Sequence, residues 1–378
     1  MQTRRLLLLL ATAAACRDVV QPPRQLTPHL LADRQPLPHA CKRAHPERRD
    51  DREISDGHSD RPGKTRKAGC QLLYVTNSTI QGVTAYTLDG VGDVLRTDTI
   101  MGSRTGLNNP DAVAVDAAGD IYVTNFGAAT PATASITIYA PGATGDATPT
   151  ATIAGSNTGL STPQGIAVDA AGTIYVANDF IGGPASRITV YAPGASGNAT
   201  PDRSISGGLD RPRGIAVDAA GNIYVANEEA DNVTVYAAGA NGLTTPIARI
   251  EGLNSGLFAP SGVALDAAGN LYVTSIGSGP PVPASVRVFA SGANFDATPT
   301  VVIAGANTGL FVPFAMGRDA AGRIYVADGN NTVTVYPAGA SGDVTPLATI
   351  PATSATGGFH GYGLAVHTVL DKADEVDP

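Results

Sequence analysis

The stretch 213–229, RGIAVDAAGNIYVANEE, decides the fold of this chain. It predicts a strand, a tight turn and a second strand, because β-branched and aromatic residues alternate on both sides of the turn residues Asp218 and Gly221. Related copies occupy most of the chain, and their tyrosines recur at intervals of 48 to 53 residues, at Tyr74, Tyr122, Tyr175, Tyr224, Tyr272 and Tyr325. A period of this length predicts a repeat architecture, so the copied residues are expected to build the fold.

Each period contains four short strand-like segments, which in one copy are 165–169, 173–178, 187–192 and 201–206. Four such segments in about 50 residues are typical of one blade of a β-propeller. The first segment, 71–77, lacks a strand before it, and the last, 363–367, lacks a strand after it. The sequence therefore predicts an all-β, six-bladed β-propeller of four-stranded antiparallel blades, in which the C-terminal strand joins the N-terminal blade and closes the ring.

Three copies, PQGIAVDAAGTIYVAND (163–179), PRGIAVDAAGNIYVANE (212–228) and PSGVALDAAGNLYVTS (260–275), resemble the NHL repeat. That repeat has a Pro-x-Gly-Val-Ala-Val-Asp entry, a Gly-Asn turn and an Ile-Tyr-Val-Ala-Asp strand. The resemblance spans roughly residues 71–367 and implies a six-bladed propeller. It implies no single activity, since such propellers include lyases, hydrolases, RNA binders and scaffolds. The chain departs from the pattern in its longer period and its added TPxATIAGxNTGL connector.

The N-terminus has the features of a targeting segment. Arg4 and Arg5 precede an apolar run and small residues before Cys16, which predicts a signal peptide. Ala-Ala-Ala-Cys resembles a bacterial lipoprotein processing site, which implies lipidation of Cys16; an ordinary cleaved secretory signal is the alternative. The protein is thus expected to be extracytoplasmic, in a bacterial cell envelope or secreted. The expected domains are a signal peptide (1–16), a disordered Pro/Arg/Asp-rich tether (17–70), the propeller (71–367) and an acidic tail (368–378).

The distribution of charge also changes at residue 70, where the expected tether ends and the propeller begins. Residues 1–70 carry 14 of the 25 Lys and Arg against 8 acids, whereas residues 71–378 carry 11 against 25 and are net −14. Nucleic-acid binding requires a basic surface that replaces counterions. The sequence therefore predicts no nucleic-acid partner, and it predicts membrane contact through a lipid anchor only.

Five aspartates that end the first strand of a copy are expected to have a structural role. Each opens the turn before the second strand, where its carboxylate can accept hydrogen bonds from following backbone amides. They lack the alternating spacing of a calcium loop. The five are Asp116, Asp169, Asp218, Asp266 and Asp319.

Candidate binding residues are those that share a place in the repeat but differ between blades. The residue entering each first strand is chemically mixed: Asp111, Gln164, Arg213, Ser261, Phe314 and Tyr362. His360 and Glu228 are expected at the same mouth of the central channel. The residue ending each second strand is nearly uniform and includes Asn178, Asn227 and Asp328; these side chains are expected either to bind loop backbone or to contact a ligand. The alternative is that the mixed residues form a variable solvated rim.

The sequence favours a binding or scaffold module over an enzyme. A zinc lyase of the amidating type needs several inward histidines, whereas the repeats hold only His360 and His367. A Ser-His-Asp hydrolase would need a nucleophile-elbow motif, which is absent. We expect a monomer without a cofactor that binds a protein or a small polar ligand, with no catalytic or metal-binding residue assigned. The alternative is a metal-assisted hydrolase or lyase of the gluconolactonase-like type, with calcium or another divalent metal.

Overall fold

The computed structural model describes residues 70–88, 94–127, 133–179, 186–279, 281–351 and 363–369. All regular secondary structure in these ranges is β-strand. Within them, no helix has the length and apolar character needed to cross a bilayer. The expected signal peptide, the tether up to residue 69 and most of the acidic tail lie outside the described residues, as do Cys16, His360 and Tyr362.

The strands form six sheets, and each sheet is one blade. Blade 1 contains β1 (Cys70–Asn77), β2 (Gly82–Leu88) and β3 (Val94–Ile100); blade 2 contains β4 (Pro110–Val115), β5 (Ile121–Asn125), β6 (Ser135–Tyr139) and β7 (Ala151–Ala154). Blade 3 contains β8 (Pro163–Val168), β9 (Ile174–Asn178), β10 (Arg187–Tyr191) and β11 (Arg203–Ser206); blade 4 contains β12 (Pro212–Val217), β13 (Ile223–Asn227), β14 (Asn232–Tyr236) and β16 (Ala248–Ile250), with β15 (Gly242–Leu243) paired to the edge of blade 3. Blade 5 contains β17 (Pro260–Leu265), β18 (Leu271–Ser275), β19 (Ser285–Phe289) and β20 (Val301–Ile303); blade 6 contains β21 (Pro313–Arg318), β22 (Ile324–Asp328), β23 (Thr332–Tyr336) and β24 (Ala348–Pro351); β25 (Leu364–Val369) returns to blade 1.

The last strand closes the ring. β25 pairs antiparallel with β1 from Cys70 opposite Val369 to Val75 opposite Leu364, so it supplies the innermost strand of blade 1. The inner strands contact one another in cyclic order, and β25 contacts the inner strands of both blade 2 and blade 6. The predicted six-bladed, four-stranded, antiparallel propeller and its mode of closure are confirmed.

Strand boundaries differ slightly from those expected from the sequence. In blade 3 the inner strand begins at Pro163, two residues earlier than expected, because Pro163 still pairs with Asn178 across a bulge. The same strand ends at Val168, because Asp169 belongs to the turn. Its Oδ1 accepts hydrogen bonds from the amides of Ala171 and Thr173, both at 2.9 Å, and the hydroxyl of Tyr175 donates to its Oδ2 at 3.0 Å. The two amide contacts are those predicted for the repeated aspartates, and the tyrosine contact adds a third.

The hydrophobic core is divided into six clusters, one between each pair of neighbouring blades. A fully buried aromatic from each third strand fills the wedge against the preceding blade: Tyr86, Tyr139, Tyr191, Tyr236, Phe289 and Tyr336. The hydroxyl of Tyr191 also donates to the carbonyl of Thr158 in the preceding connector at 2.6 Å. Because the core lies between blades, each blade depends on its neighbours for burial.

The added connector forms an inter-blade latch, which joins the outer strand of one blade to a loop of the next. Between blades 2 and 3, the amide of Ala154 donates to the carbonyl of Gly197 at 2.9 Å, and the amide of Gly197 donates to the backbone carbonyl of Thr152 at 2.6 Å. Asn198 Oδ1 accepts from the amide of Asn157 at 2.8 Å. Equivalent backbone pairs occur at Ile100 with Gly145, Ile205 with Gly242, Ile250 with Phe295 and Ile303 with Gly342. The latches therefore add polar contacts between neighbouring sheets at the rim.

A variant that ends at Phe359 is expected to lose its cooperative unfolding transition. It lacks β25, so the buried side chains of Leu73 and Val75 and the backbone groups of β1 are exposed. A matched variant that lacks only residues 370–378 keeps β25 and should melt within a few degrees of the full chain. Circular dichroism melts of both variants measure this. A cooperative melt at the full-chain temperature for the shorter variant would show that ring closure is dispensable.

Candidate functional site

The two sets of candidate residues lie at the same end of the propeller. Pro163 pairs with Asn178 and Pro212 pairs with Asn227, so the start of each inner strand lies beside the end of the second strand. A small central cavity of about 70 Å³, partly open to solvent, is lined by residues from all six blades. Four of the mixed residues line it: Gln164, Arg213, Ser261 and Phe314. We call this end of the channel the entrance.

The nearly uniform residues at the second-strand ends are buried and hold loops. Asn178 Oδ1 accepts from the amide of Ser161 at 3.0 Å, and its Nδ2 donates to Thr189 Oγ1 at 3.1 Å. Asn227 accepts in the same way from the amide of Asp210 at 3.2 Å. Asp328 Oδ2 accepts from the amide of Phe311 at 2.8 Å. These hydrogen bonds to loop backbone match the first of the two roles expected for these side chains from the sequence.

Arg213 joins two blades at the entrance. Its Nε donates to Glu228 Oε2 on the same blade, and its Nη1 donates to Gln164 Oε1 of blade 3 at 3.0 Å. The Arg213 and Glu228 side chains are 14% and 6% exposed, so water screens their attraction only weakly. Three sequence candidates are thus brought into one contact.

Two residues that the sequence interpretation missed extend this contact. Arg211 Nη1 lies 2.9 Å from Glu229 Oε1, and its Nε lies 3.6 Å from Glu228 Oε2 and 3.8 Å from Asp179 Oδ2. Asp179 follows the second strand of blade 3, and Arg211 precedes the inner strand of blade 4. Both residues flank the repeated core and differ in type from the residues at the same position in other blades. A comparison of these flanking positions between the copies could have identified them. We name the polar cluster as Gln164, Asp179, Arg211, Arg213, Glu228 and Glu229.

The backbone of Arg211 is in the left-handed region, with φ of 52°. Its carbonyl accepts a hydrogen bond from the amide of Glu228 at 3.1 Å, which continues the pairing of the two strands beyond Pro212. A non-glycine residue in this region costs on the order of 1–3 kcal/mol. The strand pairing that places Arg211 beside Glu228 therefore offsets this strain.

Asp111 is the candidate whose environment departs furthest from that of an ordinary surface residue. It is 4% exposed, and its Oδ2 has no hydrogen-bond partner among the described residues. Burial raises the pKa of its carboxyl to about 7; the charge of Arg213 lowers that pKa and the charge of Glu228 raises it. A carboxyl with these properties changes protonation near neutral pH and is a recognised feature of functional sites.

The remaining candidates fall into two groups. Ser261 Oγ donates to the carbonyl of Pro313 at 2.6 Å and lies 2.9 Å from Thr274 Oγ1, so its hydroxyl connects blades 5 and 6. Phe314 is half-buried and supplies an aromatic wall to the cavity. His360 and Tyr362 lie outside the described residues, so their predicted place at the entrance stays a prediction.

The described residues do not assemble a site for a divalent metal. No group of three His, Cys, Asp or Glu side chains among them is placed to hold an ion. Among the candidate carboxylates, Glu228 is paired with Arg213, and Asp111 lies on another blade. Divalent metals usually require several oxygen or nitrogen ligands at once, so this part of the chain does not fit the metal ion considered from the sequence.

Solved structures share the architecture of this chain. A protein of unknown function from Bacteroides caccae is 14% identical over 79% of this chain and 98% of that chain, with a TM-score of 0.54. A protein from Lactobacillus plantarum is 17% identical over 79% of this chain and 99% of that chain, with a TM-score of 0.53. A gluconolactonase from Xanthomonas campestris is 16% identical over 70% of this chain and 84% of that chain, with a TM-score of 0.47.

No family model and no curated protein matches the chain. At these identities the similarity to the Bacteroides caccae and Lactobacillus plantarum proteins shows a common fold and no common activity. The six-bladed β-propeller is therefore shown, whereas the resemblance to the NHL repeat stays a prediction at the level of the family.

The buried Asp111 carboxyl should make stability depend on pH. The folded protein holds this proton up to about pH 7, whereas the unfolded chain releases it near the ordinary value of 3.8. The folded state thus binds more protons between these values, and the free energy of unfolding should fall as the pH rises through this range, by up to about 4 kcal/mol.

Asp111→Asn should remove this fall, whereas Asp202→Asn, at an exposed position in blade 3, should preserve it. Urea unfolding of the wild type and both variants at pH 5 and pH 8 measures the difference. Equal pH dependence in the wild type and the Asp111 variant would show that Asp111 is ionised throughout.

Proposed function

We propose that this chain is an extracytoplasmic binding or scaffold propeller that holds a small polar ligand or a protein segment at its channel entrance. The observation that carries the proposal is the polar cluster beside the cavity. Other blades have residues such as Phe126, Ser261 and Ile276 at the corresponding positions. Blades 3 and 4 instead place two arginines and three carboxylates together.

The polar cluster and the cavity together have the composition of a binding site for a small molecule. Aliphatic residues such as Ile166, Ile215 and Met316 line the cavity wall, and polar groups from Gln164 and Arg213 converge on it. Binding sites typically combine a largely apolar wall with a few fixed polar groups that orient the ligand. The hydrogen bond between Gln164 and Arg213 holds these groups in place before a ligand arrives, which reduces the entropic cost of binding.

A specific observation also favours a hydrolase or lyase of the gluconolactonase-like type as a second function. Asp111 is buried beside the channel with a pKa of about 7, the range in which a carboxyl acts as general acid or base. A metal-assisted form of this reaction would need ligands that the described residues do not assemble. The acid–base form needs only Asp111 and a substrate in the cavity.

A ligand screen separates these functions. We expect at least one class among monosaccharides, amino acids, alkylamines and dicarboxylates to raise the Tm of the wild type. Arg213→Gln should weaken that compound at least tenfold, because it removes the donor shared by Glu228 and Gln164. Arg249→Gln, which breaks the exposed pair with Glu251 on the outer strand of blade 4, is the matched control and should leave the effect unchanged.

The same proteins are assayed for hydrolysis of D-glucono-1,5-lactone, with and without added calcium, magnesium, manganese or zinc. Turnover that Asp111→Asn abolishes would favour the enzyme. Failure of every class to stabilise the wild type, or identical binding by the Arg213 variant, would contradict the binding function.

The tether is part of the proposal. The basic start, the apolar run and Cys16 support export and lipid attachment. In a bacterial host, Cys16→Ser should move the full chain from the membrane fraction to the soluble fraction of the envelope or to the medium. Cys41→Ser is the control and should leave the distribution unchanged. If the wild-type protein is found only in soluble fractions, the lipid anchor is contradicted and an ordinary secretory signal is supported.

A further inference from the structure

A pair of residues in one inter-blade latch combines a reactive side chain with an unhindered backbone nitrogen. Asn241 and Gly242 form the one Asn-Gly pair in the sequence, and both are exposed in the latch between blades 3 and 4. Gly242 pairs with Ile205 of the outer strand β11. Because glycine has no Cβ, no side chain shields the backbone nitrogen of Gly242. This nitrogen directly follows the residue that carries the side-chain amide, so the two groups can react with each other.

The fold brings the reacting atoms close together. The backbone nitrogen of Gly242 lies 3.0 Å from Oδ1 of Asn241, and thus close to the carbonyl carbon Cγ that carries this oxygen. Reacting atoms about 3–3.5 Å apart are in a near-attack arrangement. The amide of Ser204 donates to the same oxygen at 3.1 Å. A donor at this place stabilises the negative charge that develops on Oδ1 when a nucleophile adds to Cγ.

Equivalent positions in the other described latches lack part of this combination. The latches of blades 2, 3 and 6 have a hydroxyl residue in place of Asn241: Thr144, Ser196 and Ser341. The latch of blade 5 has Asn294, and its Oδ1 accepts from the amides of Phe295 at 2.9 Å and Arg249 at 2.8 Å, as Asn241 does from its own neighbours. The difference lies in Phe295, whose side chain adds bulk beside the backbone nitrogen where Gly242 has none.

We propose that Asn241 is a deamidation site of the folded protein, a property independent of the proposed binding function. The nitrogen of Gly242 attacks Cγ of Asn241, the Cγ–Nδ2 bond breaks, and Nδ2 leaves as ammonia with the proton that the Gly242 nitrogen loses. Water then adds to either carbonyl of the resulting succinimide ring. Opening of the bond from the ring nitrogen to Cγ yields aspartate, and opening of its bond to the main-chain carbonyl carbon yields isoaspartate. Water is the co-reactant, and the net change replaces an amide with a carboxylate.

Isoaspartate weakens the contact between blades 3 and 4. It carries the main chain through Cβ and Cγ, which lengthens the loop beside Ile205. The loop must then shift if the amide of Thr244 is to keep its 2.8 Å hydrogen bond to the carbonyl of Ser206. Other latches also hold the preceding connector with a side-chain acceptor: Asp146, Asn198, Asp296 and Asp343. Leu243 occupies this place in blade 4 and offers no acceptor, so this latch depends on Asn241 and its backbone contacts.

The test follows amide loss in the folded full chain by peptide mass mapping. At pH 8, Asn241 should lose its amide at least tenfold faster than Asn294, and labelling by an isoaspartate-specific methyltransferase should appear at residue 241. The rate should be at least tenfold lower at pH 5, because the attacking nitrogen must lose its proton. Equal rates at Asn241 and Asn294, or amide loss confined to urea-unfolded protein, would overturn the proposal.

Two reciprocal variants isolate the effect of the following residue. Gly242→Phe should slow amide loss at Asn241 at least tenfold. Phe295→Gly removes a side chain from a backbone with φ of 51°, so it relieves strain and keeps the fold. This variant should speed amide loss at Asn294 at least tenfold. If Asn294 reacts as slowly as before, shielding of the nitrogen does not control the reaction, and the proposed chemistry is contradicted.

Thermal melts measure the effect on the latch. Wild-type protein aged at pH 8 should melt several degrees below fresh protein. Asn241→Ser, which places the residue of the blade 3 latch in blade 4, should keep its Tm through the same treatment. An unchanged Tm in fully converted wild-type protein would contradict the weakening of the contact between blades 3 and 4.

Discussion

The antiparallel pairing of β25 with β1 is the interaction on which the rest of the structure depends. The core consists of wedges between blades, and no blade buries its own apolar faces. β25 supplies side chains to the wedges on both sides of blade 1, since Leu364 belongs to the cluster shared with blade 6 and Ala365 packs against the cluster shared with blade 2. A few backbone hydrogen bonds between the ends of the chain thus hold a hydrophobic core that extends around the whole ring.

Repetition explains how much could be predicted from the sequence. The turn aspartates recur at equivalent positions, so their shared role can be inferred from the spacing of the copies, as the amide hydrogen bonds of Asp169 show. The inter-blade latches could not be predicted in this way, because partners such as Asn157 and Asn198 lie 41 residues apart in connectors without a strand pattern. Arg211 was missed because it lies just outside the repeated core, where the copies diverge and a single difference between them is hard to recognise.

Polar side chains at equivalent positions around the entrance have different roles in different blades. Asn178, Asn227 and Ser261 satisfy buried backbone groups or join blades, so their polarity is used within the fold. Arg213 instead pairs with side chains of two blades, and the buried Oδ2 of Asp111 has no hydrogen-bond partner among the described residues. Side-chain pairing between blades 3 and 4 therefore gives an almost symmetric ring one distinctive side.

The strand directions of blade 1 also determine from which face of the propeller the two ends of the described ring emerge. β1 runs from Cys70 to Asn77 and β25 runs back to Val369, which pairs with Cys70. Asn77 lies at the entrance end, so both ends of the described ring emerge from the opposite face. A segment joined to either end of the described ring would therefore start at that opposite face, and both junctions would lie away from the channel entrance.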